Sequence, residues 1–163
     1  MATWIFEPGH TEAEFRVRHM MVTWVRGLFK DIHGTLDLDF DRPLEATFHG
    51  EIDAVGVWTG QDERDAHLRT ADFFDVENHP KISFTGRFTE RTGDTSFKGS
   101  VELTIRGVTR SVPLDVSYLG EWKTPFWVGD EIELILDAEA ILLDDLERTG
   151  AIEYYRSPDV LTG

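Results

Sequence analysis

Alternation with a period of two constrains this chain more than any other feature. In Glu131-Ile132-Glu133-Leu134-Ile135-Leu136-Asp137-Ala138-Glu139-Ala140, acidic side chains gather on one phase and apolar ones on the other. Successive side chains on a strand point to opposite faces, so such a run reads as a half-buried strand. The same phase recurs in Phe15/Val17, Leu36/Leu38/Phe40, Phe48/Ile52, Ile82/Phe84/Phe88, Val101/Leu103/Ile105 and Val112/Leu114/Val116, each bounded by Gly, Pro, Asp or Asn. Those flanking residues are turn formers. Seven or so strands at short spacing predict an antiparallel all-β sandwich or barrel.

Glycine decides between the two. Gly27, Gly34, Gly50, Gly86 and Gly99 interrupt strand-like runs, and a missing side chain there permits a bulge or sharp bend. Strands that coil hard enough to close a barrel use such positions, which favours a barrel over a flat sandwich. One segment leaves the pattern. Thr59 to Arg69 opens with a capping residue, Thr59, has Asp62 three positions on, and places Asp65 four residues before Arg69. That spacing predicts a short helix. With only Ala66 and Leu68 apolar, the helix is expected to lie across a barrel mouth rather than in the core.

A chain of 163 residues fits one such domain. The barrel is expected over residues 1–142, with 143–163 a C-terminal extension in which Leu142 to Arg148 could form a further helical turn. The charge of −15 repels phosphate backbones, so nucleic acid is not an expected partner. Absence of cysteine excludes disulfides, thiolate metal sites and a Cys nucleophile. No run reaches the ~18 apolar residues of a membrane span, and the first residues lack a signal-peptide pattern. The expected location is the cytoplasm.

Catalytic constellations are weak. The six histidines, at 10, 19, 33, 49, 67 and 79, form no His-Glu-x-x-His or His-x-His pattern, although His33 and His49 could converge on neighbouring strands. No serine sits in a Gly-x-Ser-x-Gly elbow. Carboxylate pairs such as Asp37/Asp39 are ordinary in a chain with 31 acids and read as a solvated face. Gly56-Val57-Trp58 carries the Gly-x-Trp of true lipocalins but lies just before the helix, not in a first strand, and is set aside. No enzyme activity, metal or cofactor is predicted.

Several blocks together resemble the YceI-like family of polyisoprenoid-binding, lipocalin-like barrels. These are Trp4-x-Phe6-Glu7-Pro8-x-His10-Thr11, Phe15-x-Val17-x-His19-Met20 and Val25-Arg-Gly27-x-Phe29-x-x-Ile32-x-Gly34. Most specific is Thr59-Gly60-x-x-x-Arg64-Asp65-x-His67-Leu68, followed by Asp72-Phe73-Phe74-Asp75-Val76 and Pro80-x-Ile82-x-Phe84. Gly99 to Thr109 and Val128 to Ile132 continue the likeness. One departure stands out: only Glu121 to Val128 occupies the place where the family has a further hairpin; either the protein has lost it, which would leave a gap and an exposed edge in the barrel wall, or a segment between Val128 and Gly129 is missing from this sequence, which is the favoured reading.

The resemblance implies non-catalytic binding, storage or transport of an isoprenoid lipid, of polyprenyl or isoprenoid-quinone type, or of a fatty-acid-like lipid. Strand phase nominates Phe15, Val17, Phe29, Leu36, Phe48, Phe84, Phe88, Val101, Leu103 and Ile105 as inward-pointing, ligand-lining positions. Arg64, His67 and Arg69 are expected polar contacts for a head group if the helix borders the mouth. A packed barrel whose surface binds a protein partner is the alternative. The family likeness also admits a homodimer.

Overall fold

The computed structural model describes residues 1–19, 23–118, 124–128, 133–138 and 140–142; the extension beyond 142 lies outside them. Among the described residues, eleven strands and one α-helix follow one another. The first five strands are β1 (Ala2–Phe6), β2 (Glu12–His19), β3 (Thr23–Lys30), β4 (His33–Leu38) and β5 (Thr47–Asp53). Helix α1 (Asp62–Arg69) then precedes β6 (Lys81–Arg91), β7 (Ser96–Ile105) and β8 (Val108–Ser117). Three short strands finish the sheet: β9 (Thr124–Val128), β10 (Glu133–Ala138) and β11 (Ala140–Leu142). All pairings are antiparallel, in the order β11-β1-β4-β5-β6-β7-β8-β9-β10-β2-β3.

The two ends of this order meet through the chain itself. One residue separates β10 from β11, and β3 at one margin leads after two residues into β4 near the other margin. A link that short spans no more than roughly 11 Å, so the sheet must coil round on itself. Its margin at β3 is also covered: the Leu28 N–H donates to the Trp58 carbonyl at 2.8 Å and the Trp58 N–H to that of Leu28 at 3.0 Å. The architecture is the expected all-β barrel with one short helix at an end.

The acidic-apolar alternation of residues 131–140 is divided between partners. Glu133 to Asp137 pair with β2, whereas Ala140 to Leu142 pair with β1. Leu142 is therefore a strand residue and does not begin a helical turn. The short stretch that stands for the family's hairpin also has a place, because β9 pairs with β8 at Asp115↔Trp127 and Val116↔Phe126 and with β10 over five residues. Among the described residues β9 joins β8 to β10.

Apolar residues of the predicted phase meet in one core. Phe6, Ala13, Phe29, Phe48, Ile52, Ile82, Phe84, Phe88, Phe97, Leu114 and Val116 are all buried in a single cluster drawn from seven strands. Burying each large side chain contributes about 1.5–3 kcal/mol, so this inner wall is the main source of stability. The β7–β8 hairpin closes on Arg106 and Gly107, with φ of 50° and 74°. Positive φ at both central residues is the turn whose twist matches the flanking strands.

The strand glycines do more than one job. The irregularity in the β6–β7 ladder lies between Phe88 and Glu90, whose partners on β7 are Gly99 and Lys98, so Gly99 borders it. Gly27, Gly50 and Gly86 instead lie under aromatic rings of their cross-strand partners, Phe15, Phe84 and Phe48. Gly34 and Gly50 face each other across β4 and β5, each against backbone of the other strand.

Candidate functional site

Aromatic rings form a nearly continuous inner surface. Phe6, Phe84, Phe48, Phe88 and Phe97 follow one another with ring centroids 6.4, 6.3, 6.4 and 5.3 Å apart. Each side chain comes from a strand whose apolar phase faces inward, so the row exists because β1, β5, β6 and β7 keep that phase in register. A second group, Phe15, Phe29 and Phe74, has centroids 5.5 and 5.4 Å apart. Aromatic surfaces at such spacings attract one another beyond simple burial.

Of the ten positions nominated as lining, Phe29, Phe48, Phe84 and Phe88 are buried in this core. Phe15, Leu36, Val101, Leu103 and Ile105 are partly buried and pack against it. Val17 departs from the expectation of a lining residue: it is 43% exposed. It keeps the phase of Ala13 and Phe15 and pairs with Val25 of β3 near the end of β2.

The barrel ends differ. The end where β5 leads to β6 carries α1 and is closed by Leu68, Phe74 and Val76, which pack on the core. The helix begins at Asp62 with Gln61 as its cap, three residues later than Thr59, and Gln61 makes no side-chain capping bond. Thr59 serves the helix in another way: its N–H donates to Asp65 Oδ1 at 2.9 Å, and its hydroxyl donates to the same oxygen. Asp65 is 3% exposed, and a buried carboxylate needs such donors.

The three residues nominated for a head group surround this junction. Arg64 donates through Nε to Thr59 Oγ1 at 2.7 Å and through an Nη to the Thr59 carbonyl at 2.9 Å. Arg69 donates to the carbonyls of Val55 and Val57 at 2.8 and 3.0 Å. Both guanidinium groups are thus turned to the chain's own backbone and tie the segment before the helix to the helix. His67 is exposed, with Nε2 2.9 Å from Asp72 Oδ2 and its ring edge-on to Phe73. The structure does not bring these three together towards the interior.

At the opposite end, where β4 leads to β5, Trp4 of β1 packs edge-on against Phe40 at 6.1 Å, and Phe40 lies 5.8 Å from Tyr118. Phe40 is 58% exposed. Trp4 shares the inward phase of Phe6 and packs on the core, a phase visible in the sequence but not used to nominate it. Its Nε1 is closed off from solvent and has no hydrogen-bond partner.

His33 and His49 are diagonal neighbours on β4 and β5, and His49 Nδ1 lies 3.2 Å from Thr35 Oγ1. Among the described residues no group of three or more His, Cys, Asp or Glu is placed to hold a metal ion. The His33 imidazole is held below its ordinary 6.5 by burial, against the upward pull of Asp53. Among the described residues no helix is long and apolar enough to cross a membrane.

A model of the YceI-like domain family matches residues 4–143. The protein YceI of Escherichia coli is 34% identical over 123 residues, covering 76% of this chain and 63% of its relative. The chain thus spans a little under two thirds of that curated relative. The fold is shared with the YCEI protein of Campylobacter jejuni, at a TM-score of 0.62 and 23% identity over 77% of this chain and 89% of the other. It is shared too with a polyisoprenoid binding domain from Saccharophagus degradans implicated in plant cell wall breakdown, at 0.59 and 14% identity over 86% and 100%.

Proposed function

The chain belongs to the YceI-like family, and from that premise we propose that it binds, stores or carries an isoprenoid lipid of polyprenyl or isoprenoid-quinone type in its barrel, without catalysing a reaction. The observation that carries this reading is the inward aromatic row from Phe6 to Phe97. An extended apolar chain laid along such a wall gains about 0.8 kcal/mol per methylene-sized unit buried, and holding it requires no acid, base or metal. The polyisoprenoid binding domain from Saccharophagus degradans, with the same fold, supports the choice of ligand class.

The two ends favour one direction. With α1 tied down by Arg64, Asp65 and Arg69, the proposed path for the ligand is the Trp4, Phe40 and Tyr118 end, where the described residues present the exposed ring of Phe40 rather than a hydrogen-bonded helix. Native mass spectrometry of the purified protein, followed by organic extraction, tests the function. A stoichiometric prenyl or acyl lipid is expected. A rigid, empty barrel that takes up no added isoprenoid would instead favour a packed barrel that binds a protein partner.

A further inference from the structure

We infer that Trp4 recognises the polar end of the bound lipid, its indole Nε1–H donating a hydrogen bond to an acceptor oxygen, carbonyl or hydroxyl, held inside the barrel. This deepens the lipid-binding reading and rests on it. Buried donors are almost always paired, and only two side-chain nitrogens or oxygens, Trp4 Nε1 and His33 Nε2, are buried without a partner among the described residues. They are not equivalent. His33 shares the outer phase of β4 with Thr35 and Asp37, near Asp53 and Lys81. Trp4 lies on the inner phase of β1, directly opposite Leu36, against the hydrophobic core.

The chemistry of the indole restricts the ligand. Nε1–H donates and accepts nothing, so it distinguishes an oxygen-bearing lipid from a pure hydrocarbon and from a donor-only group. Among the described residues the neighbouring ring is Phe40 and the strand partners are Leu36 and Leu142, whose side chains carry no acceptor. Trp4 also sits at the end away from α1, so an acceptor beside it would place the polar end near the exposed ring of Phe40 and the apolar chain along Phe48, Phe84 and Phe6. That polarity differs from a head group seated on Arg64, His67 and Arg69.

The test compares the full chain with Trp4→Phe, which keeps an aromatic ring against Phe40 and removes the donor. Dissociation constants are measured for geranylgeranylacetone, a prenyl ketone, and for squalene, a prenyl hydrocarbon. The ketone-to-squalene affinity ratio is expected to fall by about tenfold in Trp4→Phe, with squalene binding little changed. In the unaltered protein the Trp4 indole N–H resonance, assigned through its contacts to Phe40, is expected to move downfield with the ketone and not with squalene; this readout stands even if the variant does not fold. An unchanged ratio, or a resonance that responds identically to both probes, overturns the role of Trp4 and leaves lipid binding intact. Failure of the unaltered protein to bind either probe overturns both.

Discussion

The ring of Phe48 on β5 fills the space left by the missing side chain of Gly86, its direct partner on β6. Two residues along the same ladder the arrangement is reversed, with the Phe84 ring of β6 over Gly50 of β5. Aromatic residues laid over strand glycines cover backbone that would otherwise face a void. The two pairs also let large rings from adjacent strands share the inner wall without collision.

Gly86→Ala is expected to destabilise the protein by about 1–3 kcal/mol, because the new methyl group overlaps the Phe48 ring. Urea unfolding measures it. Combining Gly86→Ala with Phe48→Leu should cost less than the sum of the single changes, since contacting residues couple. Strict additivity would show that the ring does not occupy this space.

Asp65→Ala leaves the Thr59 N–H without its acceptor and is expected to cost about 1–3 kcal/mol. The loss should appear locally as well: amide exchange at Leu28 and Trp58, which bond to each other beside this segment, should accelerate. Arg69→Lys should do the same in milder form, because an ammonium is a compact charge and cannot reproduce the planar fork that reaches two carbonyls. Unaltered exchange in both variants would contradict a latching role.

Burial is the largest effect on the His33 pKa and lowers it; Lys81 lowers it too, while Asp53, Asp31 and Glu51 raise it. Below 6.5 the unfolded chain therefore binds a proton that the folded state resists. The sign follows: stability associated with this group is full above about pH 6.5 and falls as the pH drops through 6.5 towards the folded-state value. His33→Gln should flatten this part of the stability profile, measured by chemical unfolding between pH 5 and pH 8. A steeper profile in the variant would reverse the assignment.

Gly107→Ala forces a side chain into a φ of 74° and should cost about 1–2 kcal/mol. Gly56→Ala is its control, because nothing lies within 4 Å of the added carbon and φ there is not positive. That change should be neutral or slightly stabilising. Thermal unfolding of the two variants side by side checks the difference, and equal shifts would show that the turn tolerates an L-residue.

Much of the architecture was legible in the residue order, because strand phase is a local property. Alternation at Phe48/Ile52, Ile82/Phe84/Phe88 and Leu114/Val116 predicted which side chains would be buried, and they are. The barrel class, the position of the short helix and the family likeness were legible in the same way, from turn residues and short motifs that do not depend on distant partners.

Pairing across the sheet is non-local, and there the order of residues was silent. Val17 has the phase of a lining residue, yet it is exposed near the end of β2. Gly27, Gly50 and Gly86 read as bends, but each lies under the phenylalanine ring of a cross-strand partner. Arg64 and Arg69 had the composition of a polar lid, but the carbonyls they meet belong to residues 55–59, brought back against the helix by the chain's turn after β5. The unpaired donor of Trp4 was equally invisible, because an orphaned hydrogen bond is defined by every group that fails to reach it. The sequence by itself determined which face of each strand is apolar; only the tertiary structure decided which end is tied shut and which polar atom is left facing inward, since both depend on contacts between residues far apart in the chain.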